Sequence, residues 1–145
     1  MMKIDDGGAY TDLVSAAWQA REQAYAPYSG FAVGAAVQTG AGHIYSGCNI
    51  ENASYGLTNC AERTAIFQAV AHGERQLVRM AICAETAEPV APCGACRQVM
   101  LEFGPDMELV LVNGAGKQIL TTVQELLPYS FQEFPQEQSK GETKG

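Results

Sequence analysis

The stretch Cys60-Ala61-Glu62-Arg63-Thr64-Ala65-Ile66-Phe67-Gln68-Ala69-Val70-Ala71, set against Pro92-Cys93-Gly94-Ala95-Cys96 further on, carries the reading of this chain. In the first stretch, apolar Ala61, Ala65, Ile66, Ala69 and Val70 recur at helical spacing, which predicts a helix from about Cys60 to Ala71. Asn59 stands where a cap belongs, and His72 and Gly73 fit its end. Pro92 sits near the start of a second helix, running from Cys93 to about Phe103. Both cysteine groups therefore fall at helix N-termini, where unpaired amides and the helix dipole favour thiolates. Cys93 and Cys96 are three residues apart, so they share a helix face. Three thiolates suit a tetrahedral Zn2+ with Zn–S distances of about 2.3 Å and leave one position open, which separates a catalytic site from a structural one. Glu62, two residues from Cys60, places a proton-carrying carboxylate beside that position. Because Cys60 comes from a different helix, the metal ties two segments together. Other readings stand beside this one. Cys48 is available to close a structural four-thiolate site. A redox Cys-x-x-Cys pair is the other option, although Cys93-Gly94-Ala95-Cys96 lacks the strand and aromatic context of a thioredoxin-like motif.

Outward from these helices, the chain alternates. Residues 10–25 carry Leu13, Val14, Ala16, Ala17, Trp18 and Ala20, the pattern of an amphipathic helix with Thr11 as N-cap and with Pro27 and Gly30 ending it. Phe31 to Gln38 reads as a strand, Gly40 and Gly42 as a hairpin turn, and Ile44 to Cys48 as the returning strand. Residues 49–59 are a loop rich in Asn, Ser and Gly. Strands follow at 77–84, 108–112 and 118–121, with Asn113–Gly116 a turn and Thr122 capping a short helix to Leu127. This order implies a three-layer α/β/α domain over residues 10–134, with a mixed five-stranded sheet, since a hairpin opens it. Residues 1–9 read as a flexible tail. Residues 135–145, Gln-, Glu-, Lys-, Ser- and Gly-rich, read as disordered.

Composition narrows the function. A chain of 145 residues holds one domain with a real core. Its net charge of −7 argues against a polynucleotide partner, which needs a basic face. No apolar run approaches the ~20 residues of a membrane span. Residues 1–8 carry no hydrophobic signal core. Five cysteines, an odd number, in an unexported chain point to reduced thiols and a cytoplasmic home. There is no internal repeat.

Cys60-Ala61-Glu62 followed by Pro92-Cys93-Gly94-Ala95-Cys96 resembles the signature of the zinc-dependent nucleoside and nucleobase deaminases, with Cys60 where the nucleic-acid enzymes carry histidine. Pro27-Tyr28-Ser29-Gly30-Phe31-Ala32-Val33-Gly34-Ala35, Gly47-Cys48-Asn49-Ile50-Glu51-Asn52-Ala53, Cys60-Ala61-Glu62-Arg63-Thr64-Ala65 and Pro92-Cys93-Gly94-Ala95-Cys96-Arg97-Gln98 narrow the likeness to the small, homotetrameric cytidine deaminases, from Tyr10 to Phe131. The resemblance implies one Zn2+ per subunit on Cys60, Cys93 and Cys96, with Glu62 as proton shuttle. It places Phe31, Asn49, Glu51, Ala61, Tyr55 and Phe131 at the substrate, Asn49 and Glu51 on the ribose, and Tyr55 and Phe131 in a neighbouring subunit's site. An extended segment points Asn49 and Glu51 the same way, and their side chains suit hydroxyls. Taken alone, they read as a loop amide and an exposed acid, Phe31 as core and Phe131 as a C-terminal anchor. Arg63 is expected to donate hydrogen bonds to the thiolates, with a solvated surface arginine as the alternative. Arg97 has no sharper reading than a structural or supporting role. Ala32, Gly56 and Thr58 depart from the residues frequent in relatives, which bears on loop geometry near Tyr55.

The implied activity is hydrolytic deamination of cytidine and deoxycytidine in pyrimidine salvage. A deaminase of an antibiotic nucleoside or free base, a non-catalytic zinc-stabilised binding module and a polynucleotide editor are the competing readings. Asn49 and Glu51 favour a ribose-bearing substrate.

Overall fold

Helix α2 (Ala61–Ala71) returns to the sheet through only a short connection, His72–Gln76, before β3 (Leu77–Ala84). Its C-terminus therefore lies at the start of β3, and its N-terminus near the end of that strand. From there α3 (Gly94–Phe103) crosses over to β4 (Glu108–Val112), which pairs parallel with β3. A parallel pair needs such a crossover. Its helix must also start at the carboxyl end of the strand it leaves. Connection length and strand direction alone thus bring the N-termini of α2 and α3 to one edge of the molecule. That is where open α/β sheets bind their ligands.

The described structure, a computed structural model, covers residues 8–132. Helix α1 (Ala9–Arg21) is followed by β1 (Val33–Thr39), β2 (Ile44–Cys48), a 3-10 turn at Tyr55–Leu57, then α2, β3, α3 and β4, β5 (Gln118–Thr122) and α4 (Val123–Leu126). The strand order is β2-β1-β3-β4-β5, antiparallel except for β3–β4. The sheet is mixed and five-stranded, as the hairpin required. Alternate residues divide its faces. Ala36, Ala81, Cys83, Val110 and Val112 pack under Leu13 and Ala17 of α1. On the other face Ala35, Val37, Met80, Ile82, Leu109 and Leu111 pack under α2, α3 and Val123. Two glycines set the spacing. A Cβ on Gly34 would lie 1.9 Å from the Ala17 carbonyl oxygen, and one on Gly47 2.6 Å from the Ala65 amide nitrogen. Each marks direct helix-on-strand contact.

Several local assignments differ from expectation. Helix α1 stops at Arg21, because Tyr25 leaves it to bond with Asn49 and Glu51. Gly8, at φ 93°, takes the N-cap place instead of Thr11, so the helix begins inside the expected tail. β1 starts at Val33, since Phe31 bonds to side chains: its N–H to the Ser29 hydroxyl, its carbonyl to the Asn49 amide. Asn59 does not cap α2; Cys60 holds that place, and Asn59 donates to the Thr64 hydroxyl. Thr122 does cap α4, accepting from the Glu125 amide at 3.2 Å. The expectations for residues 1–7 and 133–145 lie outside the described residues. Among the described residues no helix is long and apolar enough to cross a membrane.

At the opposite end from the two helix N-termini, Glu74 ties the β1–β2 hairpin to the end of α2. Its carboxylate accepts from the Thr39 hydroxyl (2.6 Å), the Tyr45 hydroxyl and His43 Nδ1 (2.9 Å). These donors, Thr39 first, hold its carboxyl down to about 2. A depressed carboxyl contributes stability above the ordinary value near 4.5 and loses it as pH falls toward 2. Glu74→Gln is therefore expected to lower Tm at pH 7, with the gap to wild type closing between about pH 4.5 and 2 in thermal melts. A gap independent of pH would contradict this role.

Candidate active site

Cys60 and Cys93 occupy the N-cap positions of α2 and α3. Neither offers the oxygen usual there. Instead Cys93 Sγ accepts the Cys96 amide at 3.4 Å, so sulfur serves as the cap. The Cys93 and Cys96 sulfurs are 3.4 Å apart, Cys60 and Cys93 3.9 Å, and all three lie within 4.8 Å of one another. A tetrahedral ion with bonds of about 2.3 Å sets its sulfurs about 3.8 Å apart. The trio fits zinc in chemistry and in spacing. Cys48, the alternative fourth thiol, is not part of the group.

Glu62, in the first turn of α2, is 5% exposed. Burial pushes its carboxyl up to about 7, and charge on Cys60 adds to the rise. A divalent ion nearby acts in the opposite sense. Arg63 Nη2 donates to Cys60 Sγ at 3.3 Å, as expected, while its Nε is buried without a hydrogen-bond partner among the described residues. The Cys96 thiol first, then Arg63, draw the Cys60 thiol down to about 5. Cys96 moves the other way, raised by its contact with Cys60 and by burial. Cys60 thus gives up its proton more readily than Cys96, and metal binding requires deprotonated sulfur.

The chain pairs Ile50 with Asn59, the residue before Cys60, through two 2.9 Å bonds. Asn49 and Glu51 flank Ile50, whose partner Asn59 leads directly into Cys60. Asn49 is buried: its Oδ1 accepts the Val33 amide at 2.9 Å and its Nδ2 donates to the Phe31 carbonyl at 2.7 Å. Glu51 accepts the amides of Tyr28 (2.9 Å) and Ser29 (3.0 Å) and the Ser29 hydroxyl. Tyr28, Ser29, Glu51, Tyr55 and Thr58 line a recess of about 370 Å³. Phe31 (39%), Tyr55 (75%) and Phe131 (58%) are all exposed. Ala61 is wholly buried.

Residues 9–112 match the cytidine and deoxycytidylate deaminase zinc-binding region. The chain belongs to this family. It is 56% identical over 120 residues to a cytidine deaminase of Halalkalibacterium halodurans, spanning 82% of this chain and 91% of that one. A blasticidin-S deaminase of Bacillus cereus is 36% identical over 107 residues, spanning 68% and 76%. The crystal structure of cytidine deaminase from Burkholderia pseudomallei superposes with a TM-score of 0.82 at 54% identity, covering 84% of this chain and 98% of that one. The family match ends before Phe131, though the three sulfurs, Glu62, Asn49 and Glu51 all lie within it.

Within this deaminase framework, Arg97 acquires a definite task. Its Nε donates to the carbonyl of Pro92, the residue before Cys93, at 2.8 Å, and its Nη1 to the Leu126 carbonyl at 2.7 Å. It locks the second sulfur loop to α4. Ser29 and Tyr28 went unremarked in sequence except as parts of a motif. Their contribution is made by backbone amides and a turn, which residue types do not announce. Arg97→Ala is expected to weaken zinc binding about tenfold, read by competition with a chromophoric chelator, because partners that orient ligands carry such effects. Arg97→Lys should not restore it, since one ammonium cannot span both carbonyls. Unchanged zinc affinity in Arg97→Ala would rule the tether out.

Proposed function

We propose that this chain catalyses hydrolytic deamination of cytidine and deoxycytidine to uridine and deoxyuridine, releasing ammonia. The observation that carries the reading is the cluster of three sulfurs, with a buried carboxyl in the same helix turn as the first of them. Cys60, Cys93 and Cys96 hold the ion, and Arg63 offsets their charge at Cys60. Zinc, when bound, supplies the Lewis acidity that makes water a nucleophile near neutral pH. Glu62 takes a proton from the attacking water and delivers it to N3 of the ring as C4 gains oxygen. It then carries the second proton from that oxygen to the amino group, which leaves as ammonia while the C4 carbonyl forms. One buried carboxyl acts as base and then acid, which its position near the metal suits. Asn49 and Glu51 bind the sugar, and Phe31 and Ala61 complete the substrate contacts.

Glu62→Gln should keep zinc yet lose ~10²–10⁴ in kcat, followed by the absorbance change as cytidine is consumed. Near-normal turnover would refute the assignment, and wild-type turnover that survives a chelator would exclude the metal. The blasticidin-S deaminase likeness marks the second reading, a cytosine-bearing antibiotic nucleoside. Turnover of cytidine, deoxycytidine, cytosine and blasticidin S decides between them.

The exposed Tyr55, Leu57, Phe67 and Phe131 support a homotetramer in which Tyr55 and Phe131 enter a neighbour's site. A cytoplasmic home accords with the unpaired thiols. Sedimentation equilibrium is expected to give four chains; a fully active monomer would disprove shared sites.

A further inference from the structure

We propose that Ser29 is the positioning residue for the sugar-reading carboxylate of Glu51, and that through the same hydroxyl it fixes Phe31. The inference rests on the sugar-binding reading of Glu51 given above. A carboxylate has about four lone-pair sites. Oε1 of Glu51 receives the amides of Tyr28 and Ser29 at 2.9 and 3.0 Å, and Oε2 receives the Ser29 hydroxyl. One acceptor site is left for a substrate hydroxyl. Where that lone pair points depends on what holds the carboxylate.

The Ser29 hydroxyl has one proton, and that proton goes to Glu51. Its oxygen accepts the Phe31 amide at 3.0 Å. With both functions engaged, the hydroxyl rotor is fixed. Gly30, at φ 69°, makes the turn that brings these groups together. Ser29 also lines the recess with Glu51, Tyr28, Tyr55 and Thr58. A glutamate on an open wall otherwise samples several rotamers, and ordering it on binding costs affinity. Ser29 orders it beforehand. The same hydroxyl first, and the Ser29 amide next, hold the Glu51 carboxyl below its ordinary range, which keeps it an acceptor.

A serine that merely shapes a turn would lower stability without selecting among substrates. The zinc-loaded enzyme is therefore assayed with cytidine and 2′,3′-dideoxycytidine, as wild type, Ser29→Ala, Ser29→Thr, Glu51→Gln and Ser29→Ala/Glu51→Gln. Ser29→Ala is expected to raise the cytidine KM roughly three- to tenfold with kcat within about twofold, the size of one hydrogen bond and the signature of lost binding. The effect should vanish with the dideoxy substrate, should be largely reversed in Ser29→Thr, and should add nothing in the Glu51→Gln background. If Glu51→Gln raises KM and Ser29→Ala does not, the positioning role is overturned while the sugar reading stands. If Glu51→Gln leaves the cytidine KM unchanged, the sugar reading falls and takes this proposal with it. Equal losses on both substrates would make Ser29 a turn-former only and overturn the proposal. Should Ser29→Ala fail to fold, Ser29→Cys, with a similar volume and a weak donor, carries the same comparison.

Discussion

Two helices that start at the same edge of the sheet, each with sulfur at its first position, are the constraint on which everything else depends. α2 returns to β3 and α3 leaves it, so their N-termini meet whatever the loops contain. Amide dipoles at those ends stabilise negative sulfur. They do not stabilise three of them within 4.8 Å. The opposite shifts of Cys60 and Cys96 express that conflict: one thiol gives up its proton the more easily because the other keeps its own. A divalent cation resolves it. Local and global preferences disagree here only in the absence of an ion, which is how a fold marks a functional position.

Glu62 gains its chemistry from the same construction. It follows Cys60 by two residues, in the first turn, where the helix directs it inward beside Ala65 and Ile66 of the core. A carboxylate so buried is costly as an anion. Its raised carboxyl reflects that cost. A nearby cation reduces it, and a proton removes it. A group balanced between those two remedies accepts and returns protons readily. Glu51, part-exposed and fed by three donors, is held toward its ionised form, which suits the hydroxyl-reading role proposed for it. The two acids differ in protonation tendency because burial and donors differ, not because of residue type.

The sequence was most legible where function depends on local spacing. Cys60, Glu62, Cys93 and Cys96 carry their geometry within single helical turns, and Thr122 caps α4 by the same short-range logic. The layers and the mixed sheet followed from alternation and a hairpin. What escaped was set by distant partners. Tyr25 leaves α1 because Asn49 and Glu51, far along the chain, offer a better ladder. Glu74 gathers donors from Thr39, His43 and Tyr45, none of which signals the pairing in sequence. Arg97 could not be placed until the Pro92 and Leu126 carbonyls were seen together. Asn59 looked like a cap and instead became half of a ladder with Ile50, a competition between local propensity and tertiary pairing.

That ladder joins recognition to chemistry. Tyr25, Ile50 and Asn59 form one hydrogen-bonded strip, with Tyr25 bonded to the residues flanking Ile50 and Ile50 bonded to Asn59. Asn49 and Glu51 project from its middle, and Cys60 follows directly from its end. The Ile50–Asn59 pairing limits how far Asn49 and Glu51 can move relative to Cys60. Under the proposed sugar-binding role, a nucleoside held here would be oriented toward the metal, and orientation of this kind supplies rate that binding alone does not. Ser29 bonds Glu51, the acid proposed to grip the sugar, through both its amide and its hydroxyl. The arrangement spends side-chain order on the free protein, leaving less to be lost when substrate arrives.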